Sequence, residues 1–216
     1  MSAKYILKIL TLGDQNVGKS SIILKYTEDK FIEEWKSTLA IDFKTKLIKK
    51  GNELIKLTIY DTAGQEKYRY LIKNYYSGSN GILLVFDITD RNSFQNLNDW
   101  LVELENNSDL NNLFIYLIGN KNDLQEKRQV TYEEANSFAK SKNIPYIEIS
   151  AKTGDNIQKL FDGLIKGTIM NIIEHKKNDK SFLKESVRIS FLDKEEKWVI
   201  FAKFNFMKIL YIIFYG

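Results

Sequence analysis

Gly13-Asp14-Gln15-Asn16-Val17-Gly18-Lys19-Ser20 has the form G-x-x-x-x-G-K-S and stands directly after an apolar run, Tyr5-Ile6-Leu7-Lys8-Ile9-Leu10-Thr11-Leu12. Such a string carries meaning only between a strand and a helix, because the same letters recur by chance elsewhere. Here Ile22, Ile23 and Tyr26 follow at helical spacing, and Thr27-Glu28-Asp29 makes a polar exit. A glycine-rich turn in that position lets consecutive main-chain N–H groups converge on a phosphate, and the helix start adds the positive end of its dipole. Lys19 supplies a point charge to the β- and γ-phosphates, and the Ser20 hydroxyl is a ligand for Mg²⁺. The stretch predicts a nucleoside triphosphate site, with Gly13, Asp14, Gln15, Asn16, Val17, Gly18, Lys19, Ser20 and Ser21 around the phosphates.

Beyond this turn, apolar runs alternate with helical patterns as far as residue 174. Strands are expected near 4–12, 40–50, 53–61, 81–87, 113–119 and 145–149, and helices near 19–28, 67–77, 91–106, 131–142 and 155–174. Alternation of this kind means βαβ units and a parallel sheet covered on both faces. Lys50-Gly51-Asn52 reads as a hairpin turn, which adds one antiparallel strand. The expected fold is therefore α/β in three layers, a six-stranded, mostly parallel sheet with helices on both faces, formed by residues 1–174 as one domain. Ligand residues of such folds gather at the carboxyl ends of the strands.

The base is selected further along. Asn120-Lys121-Asn122-Asp123 follows the apolar run Leu113 to Gly119, and Ser150-Ala151-Lys152 follows Pro145 to Ile149. A carboxylate at a strand end accepts two hydrogen bonds from guanine N1–H and its exocyclic amine, which adenine cannot offer. A buried acceptor left unpaired is costly, so such a site rejects the wrong base by about 10⁴-fold. Asp123 is the expected reader. Asn120 is expected to hold guanine N7 and the phosphate loop, Lys121 to lay its stem over the base, and the Ala151 N–H to reach guanine O6.

With these segments the chain resembles the Ras superfamily of small GTPases, and within it the Rab branch, from about Lys4 to Ile173. The signatures stand at Gly13 to Ser20, Thr38, Asp61-Thr62-Ala63-Gly64-Gln65-Glu66, Asn120 to Asp123, and Ser150 to Lys152. The Rab likeness rests on Ser37-Thr38-Leu39-Ala40-Ile41-Asp42-Phe43, Lys56 to Asp61, Asn74-Tyr75-Tyr76-Ser77-Gly78 and Leu84 to Thr89. The resemblance implies a P-loop GTPase fold, bound GTP or GDP, Mg²⁺, and a switch that regulates vesicle trafficking. It implies an exchange factor, a GTPase-activating protein and effectors as partners. It also implies Gln65 as the residue that orients the attacking water and Phe31 as an edge-on partner of guanine. Phe43, Tyr60 and Tyr75 take the aromatic positions that the family presents to effectors.

Thr38 lies eighteen residues past Ser20 in a polar stretch. A hydroxyl on a loop reaches Mg²⁺ only while the γ-phosphate holds that loop, which is how an order–disorder switch works. Asp61, at the end of the run Leu54 to Tyr60, is placed to bind Mg²⁺ through water, and Gly64 lets a main-chain N–H approach the γ-phosphate. Phosphoryl transfer needs positioning and charge stabilisation more than covalent chemistry, so Gln65, Lys19 and Gly64 suffice as catalytic groups. No arginine in the motifs can act in cis, so hydrolysis is expected to be slow and dependent on an activating protein. Three residues depart from the family pattern: Gln15 where a small residue is usual, Ala40 for Gly, and Tyr60 for Trp; Gln15 leaves open, as the alternative, a GTP-binding interaction module with little or no hydrolysis.

Net charge is +4 from 32 basic and 28 acidic side chains. That balance shows no basic patch interleaved with aromatics and argues against a nucleic-acid partner. The chain has no cysteine, so disulfides, prenylation and palmitoylation are excluded for it, in keeping with a cytoplasmic setting or the cytosolic face of an endomembrane. Residues 175–197 read as a charged linker, and residues 198–216 as an apolar tail interrupted by Lys203 and Lys208. Either lysine costs about 2.5–3.5 kcal/mol near a bilayer centre. The expectation is a terminus misread from its gene, with membrane association as the second reading.

Overall fold

A computed structural model describes residues 3–33, 41–51, 53–64 and 69–177, and within these the side chains of 69–71, 176 and 177 are left aside. Thr38, Ala40, Gln65, Glu66 and everything after Lys177 lie outside the described residues.

Six runs rich in branched apolar residues become strands: β1 Tyr5–Leu12, β2 Ile41–Lys50, β3 Glu53–Thr62, β4 Gly81–Asp87, β5 Phe114–Asn120 and β6 Tyr146–Glu148. They form one sheet in the order β2-β3-β1-β4-β5-β6. β2 runs antiparallel to β3 through the turn at Gly51, and the other neighbours are parallel. All seven residues of β4 are buried, as a central strand covered on both faces requires.

The helices are α1 Lys19–Glu28, α2 Arg69–Tyr76, α3 Arg91–Gln95, α4 Leu97–Asn107, α5 Tyr132–Ser141 and α6 Ile157–Lys177. α1 and α6 cover one face of the sheet through Ile22, Ile23, Tyr26, Leu160, Phe161 and Leu164, with the Tyr26 and Phe161 rings stacked at 3.6 Å. α2 to α5 cover the other through Ile72, Tyr76, Phe94, Trp100, Leu104 and Ala135. The expected three-layer α/β architecture is thus the one observed.

Local differences have local causes. The single helix expected over 91–106 is two: Asp90 caps the start of α3 through the Asn92 N–H, and α3 gives way to α4 at Asn96, whose backbone stays near helical values at φ −71° and ψ −6°. The Asn96 side chain is committed elsewhere, to Asp14. α6 runs on to Lys177, three residues past its expected end, and its last turns carry Ile172 and Ile173 against the core beside Tyr5. The chain after β1, β3, β5 and β6 all emerges at the same edge of the sheet, which brings the motif segments together.

Candidate functional site

The phosphate loop is shaped by backbone that L-residues rarely adopt. Gly13 has φ 137° and Gly18 has φ 94°, with Asn16 at φ 65° between them. A Cβ on Gly13 would lie 2.1 Å from the Val85 carbonyl oxygen, so β4 passes too close for any other residue. α1 then starts without a side-chain cap, whereas α3 and α5 are capped by Asp90 and Thr131. The first-turn amides of α1 are therefore left for an anion, as a helix start that grips phosphate requires.

Lys19 is buried, and its ammonium donates to the carbonyls of Gly13 at 2.8 Å and Asp14 at 2.7 Å. Burial pushes it down to about 8, opposed by the carboxylates of Asp61 and Asp14. Beside it the Ser20 hydroxyl donates to Asp61 Oδ2 at 2.5 Å. A hydroxyl and a carboxylate in contact form an all-oxygen donor pair, which fits Mg²⁺, a cation that keeps water and phosphate oxygens for the rest of its shell. Among the described residues no cluster of three His, Cys, Asp or Glu could hold a metal without such help.

Gly64 meets this loop edge-on. A Cβ there would sit 2.3 Å from the Asp14 carbonyl carbon and 2.4 Å from the Gln15 nitrogen, so only glycine permits the approach. Gln15 itself is exposed at the cleft beside Gly64.

The other half of the cleft is built from side chains. Asn120 is buried and ties two loops, donating from Nδ2 to the Val17 carbonyl at 2.8 Å and accepting the Ala151 N–H at 3.1 Å. Asp123 is exposed in the cleft, and one of its oxygens accepts the Ser150 hydroxyl at 2.6 Å. The Lys121 ammonium pairs with Asp87 Oδ2 at 2.6 Å, which draws its stem along the cleft wall. Asp87, in turn, is fixed by the Thr89 N–H and hydroxyl. Lys152 reaches across to Glu33 at 3.0 Å.

Together these elements enclose about 420 Å³. Gln15, Asn16, Gly18, Lys19, Ser20, Ser21, Phe31, Gly64, Asn120, Lys121, Asp123, Ala151 and Lys152 line it. Five expected residues stand outside that lining, Gly13 among them, packed against the Val85 carbonyl. Val17 points into the core, Asp61 lies behind Ser20, and Ser150 supports Asp123. Asp14 turns its carboxylate away from the cleft, toward α4. Thr38 and Gln65 are outside the described residues.

Away from the cleft, Phe43, Tyr60 and Tyr75 form one row, with ring centroids 5.8 and 5.4 Å apart. Phe43 is 59% exposed, while Tyr60 and Tyr75 are half-buried and carry the Lys8 ammonium over their rings at 5.3 and 5.7 Å. The residues that motif reading missed are Asp87, Asn96 and Trp100. A carboxylate ending a fully buried strand was the available signal for Asp87. Trp100 has none, since at its spacing it reads as core.

The sequence profile of the Ras family matches residues 8–170. The Ras-related protein RABD2a of Arabidopsis thaliana is 41% identical over 157 residues, covering 73% of this chain and 77% of that protein. The GTP-binding protein ypt1 of Schizosaccharomyces pombe is 41% identical, and the GTP-binding protein YPTM2 of Zea mays 40%, over the same shares. A profile spanning most of the chain, on a sheet with one antiparallel strand and a phosphate loop after β1, leaves no other placement: this chain belongs to the Ras family of small GTPases, within its Rab-type branch.

Proposed function

We propose that the protein is a molecular switch that binds GTP, hydrolyses it slowly to GDP and phosphate, and regulates intracellular vesicle trafficking through effectors that recognise its nucleotide state. The observation that carries this reading is the convergence of an uncapped α1 start, a buried Lys19 and the Ser150-held Asp123 on one cleft of about 420 Å³. The relatives named as GTP-binding proteins support it.

In this reading the amides of residues 13–21 and the Lys19 ammonium grip the phosphates. Ser20 and Thr38, with Asp61 through water, would hold Mg²⁺, which would supply charge neutralisation at the phosphates. Gly64 lets its own N–H and the neighbouring Gln65 come up to the γ-phosphate, where Gln65 orients water. Asp123 reads the guanine edge, Lys121 and Phe31 flank its plane, and the Ala151 N–H takes O6 when the base arrives. Slow turnover is expected because the motif segments carry no arginine, so a GTPase-activating protein completes the site, and an exchange factor resets it. The row Phe43, Tyr60, Tyr75 is the effector surface, with Tyr60 rather than Trp setting preference. The site belongs on the cytosolic face of endomembranes; among the described residues no helix is long and apolar enough to cross a membrane.

Calorimetry with GDP, GTP and ATP tests the core of the proposal. The expected outcome is tight GDP and GTP binding, no ATP binding, and a loss of about 10³-fold or more in GDP affinity for Asp123→Ala. Undiminished GDP affinity in that variant overturns the reading.

A further inference from the structure

Asp14 is in the phosphate loop, yet its side chain serves another part of the molecule. Oδ1 accepts from Trp100 Nε1 at 2.8 Å, and Oδ2 accepts from Asn96 Nδ2 at 2.7 Å. Trp100 is fully buried, and Asn96 is the residue where α3 gives way to α4. The two donors come from residues more than eighty positions away and hold both carboxylate oxygens, which locks the side chain in one orientation.

The main chain of the same residue works inside the cleft. Its carbonyl oxygen accepts the Lys19 ammonium at 2.7 Å, and its carbonyl group is the surface against which Gly64 packs. Fixing the Asp14 side chain therefore fixes the peptide that orients Lys19 and seats Gly64. The anchoring helix is tied on to α2 as well, since the Tyr76 hydroxyl bonds Glu103 of α4 at 3.2 Å.

Building on the guanine-nucleotide reading above, we infer that the Asp14 side chain is a positioning group and not a phosphate ligand, and that Asn96 and Trp100 form a clamp that sets how long nucleotide stays bound. With the clamp closed, the Asp14 peptide stays pointed at Lys19 and the ammonium remains over the phosphates. With either donor removed, the loop gains an alternative orientation and nucleotide leaves faster, while the fold persists.

The test is release of a fluorescent GDP from the full chain, measured beside its melting temperature. Trp100→Phe removes the indole donor and keeps an aromatic ring, and Asn96→Ala removes the other donor at a half-buried position. Each is expected to speed GDP release about tenfold, the effect of one lost hydrogen bond to a charged group. Combining either with Asp14→Ala is expected to add nothing beyond Asp14→Ala alone, because all three break the same contact. Leu101→Ala, a buried α4 residue outside the clamp, should lower the melting temperature but change release less than twofold. Wild-type release rates in both Trp100→Phe and Asn96→Ala overturn the clamp, as does equal acceleration by Leu101→Ala. A wild-type chain that holds no GDP instead overturns the function proposed above, and the clamp with it.

Discussion

In the proposed reading, the two halves of the cleft would recognise a guanine nucleotide by opposite means. On the phosphate side the working groups are main-chain amides and one ammonium, set by positive φ at Gly13, Asn16 and Gly18. On the base side they are side chains, each held by another: Asp123 by Ser150, Lys121 by Asp87, and Asn120 by Val17 and Ala151. A phosphate is common to every nucleotide, so a rigid nest of amides reads it with no need for discrimination. Guanine must be told from adenine, and that demands polar groups whose supporting partners are already in place. The phosphate half is therefore sensitive to backbone shape, and the base half to the loss of a supporting side chain.

Gly64→Ala is the sharpest way to break the first half. The added Cβ would strike the Asp14 and Gln15 backbone at about the distances noted, neither of which can yield cheaply. Single-turnover GTP hydrolysis is expected to fall about 100-fold, in line with displacing a group that stabilises transition-state charge. GDP affinity should change little, because GDP has no γ-phosphate for Gly64 to meet. Equal loss of GDP affinity would mean that Gly64 shapes the whole loop and not its γ-phosphate end.

Ser150→Ala probes the second half. Removing the hydroxyl that bonds Asp123 and the Thr153 N–H should leave the carboxylate free to turn, and GDP affinity should fall about tenfold by calorimetry. Inosine diphosphate, which lacks the exocyclic amine, should lose less than GDP does in this variant. A uniform loss for both nucleotides would place the role of Ser150 in loop stability instead.

Asp87→Asn is the gentlest test. It weakens the ion pair from its buried Asp87 end while the Lys121 ammonium stays partly exposed, so solvent screens part of the loss. About a threefold loss in affinity for guanosine itself is expected, with hydrolysis of bound GTP unchanged. A larger effect on hydrolysis than on binding would move Lys121 from the base to the phosphates.

Much of this was legible in the linear order of residues. Apolar runs separated by helical patterns announce a parallel α/β sheet because a strand buried on both faces has no polar alternation, and β4 is buried throughout. The Gly13 to Ser20 string and the segments Asn120 to Asp123 and Ser150 to Lys152 announce a cleft because each short motif carries its own local geometry. The break at Asn96 was not legible: nothing in residues 91–106 interrupts the helical pattern. At that break the Asn96 amide is taken by the Asp14 carboxylate from another loop.

By itself the sequence determined the class of fold and the positions of the expected phosphate- and base-reading segments along the chain, because periodicity and turn chemistry act over a few neighbouring residues. Only the tertiary structure decided which way those residues face. It turned the Asp14 side chain to α4 instead of the phosphates, set Asp87 under Lys121, and put Ser150 behind Asp123. Each of these contacts joins segments 27 or more positions apart. A side chain's direction there is set by whichever donor or charge the packed sheet brings within about 3 Å, and local spacing carries no information about that meeting.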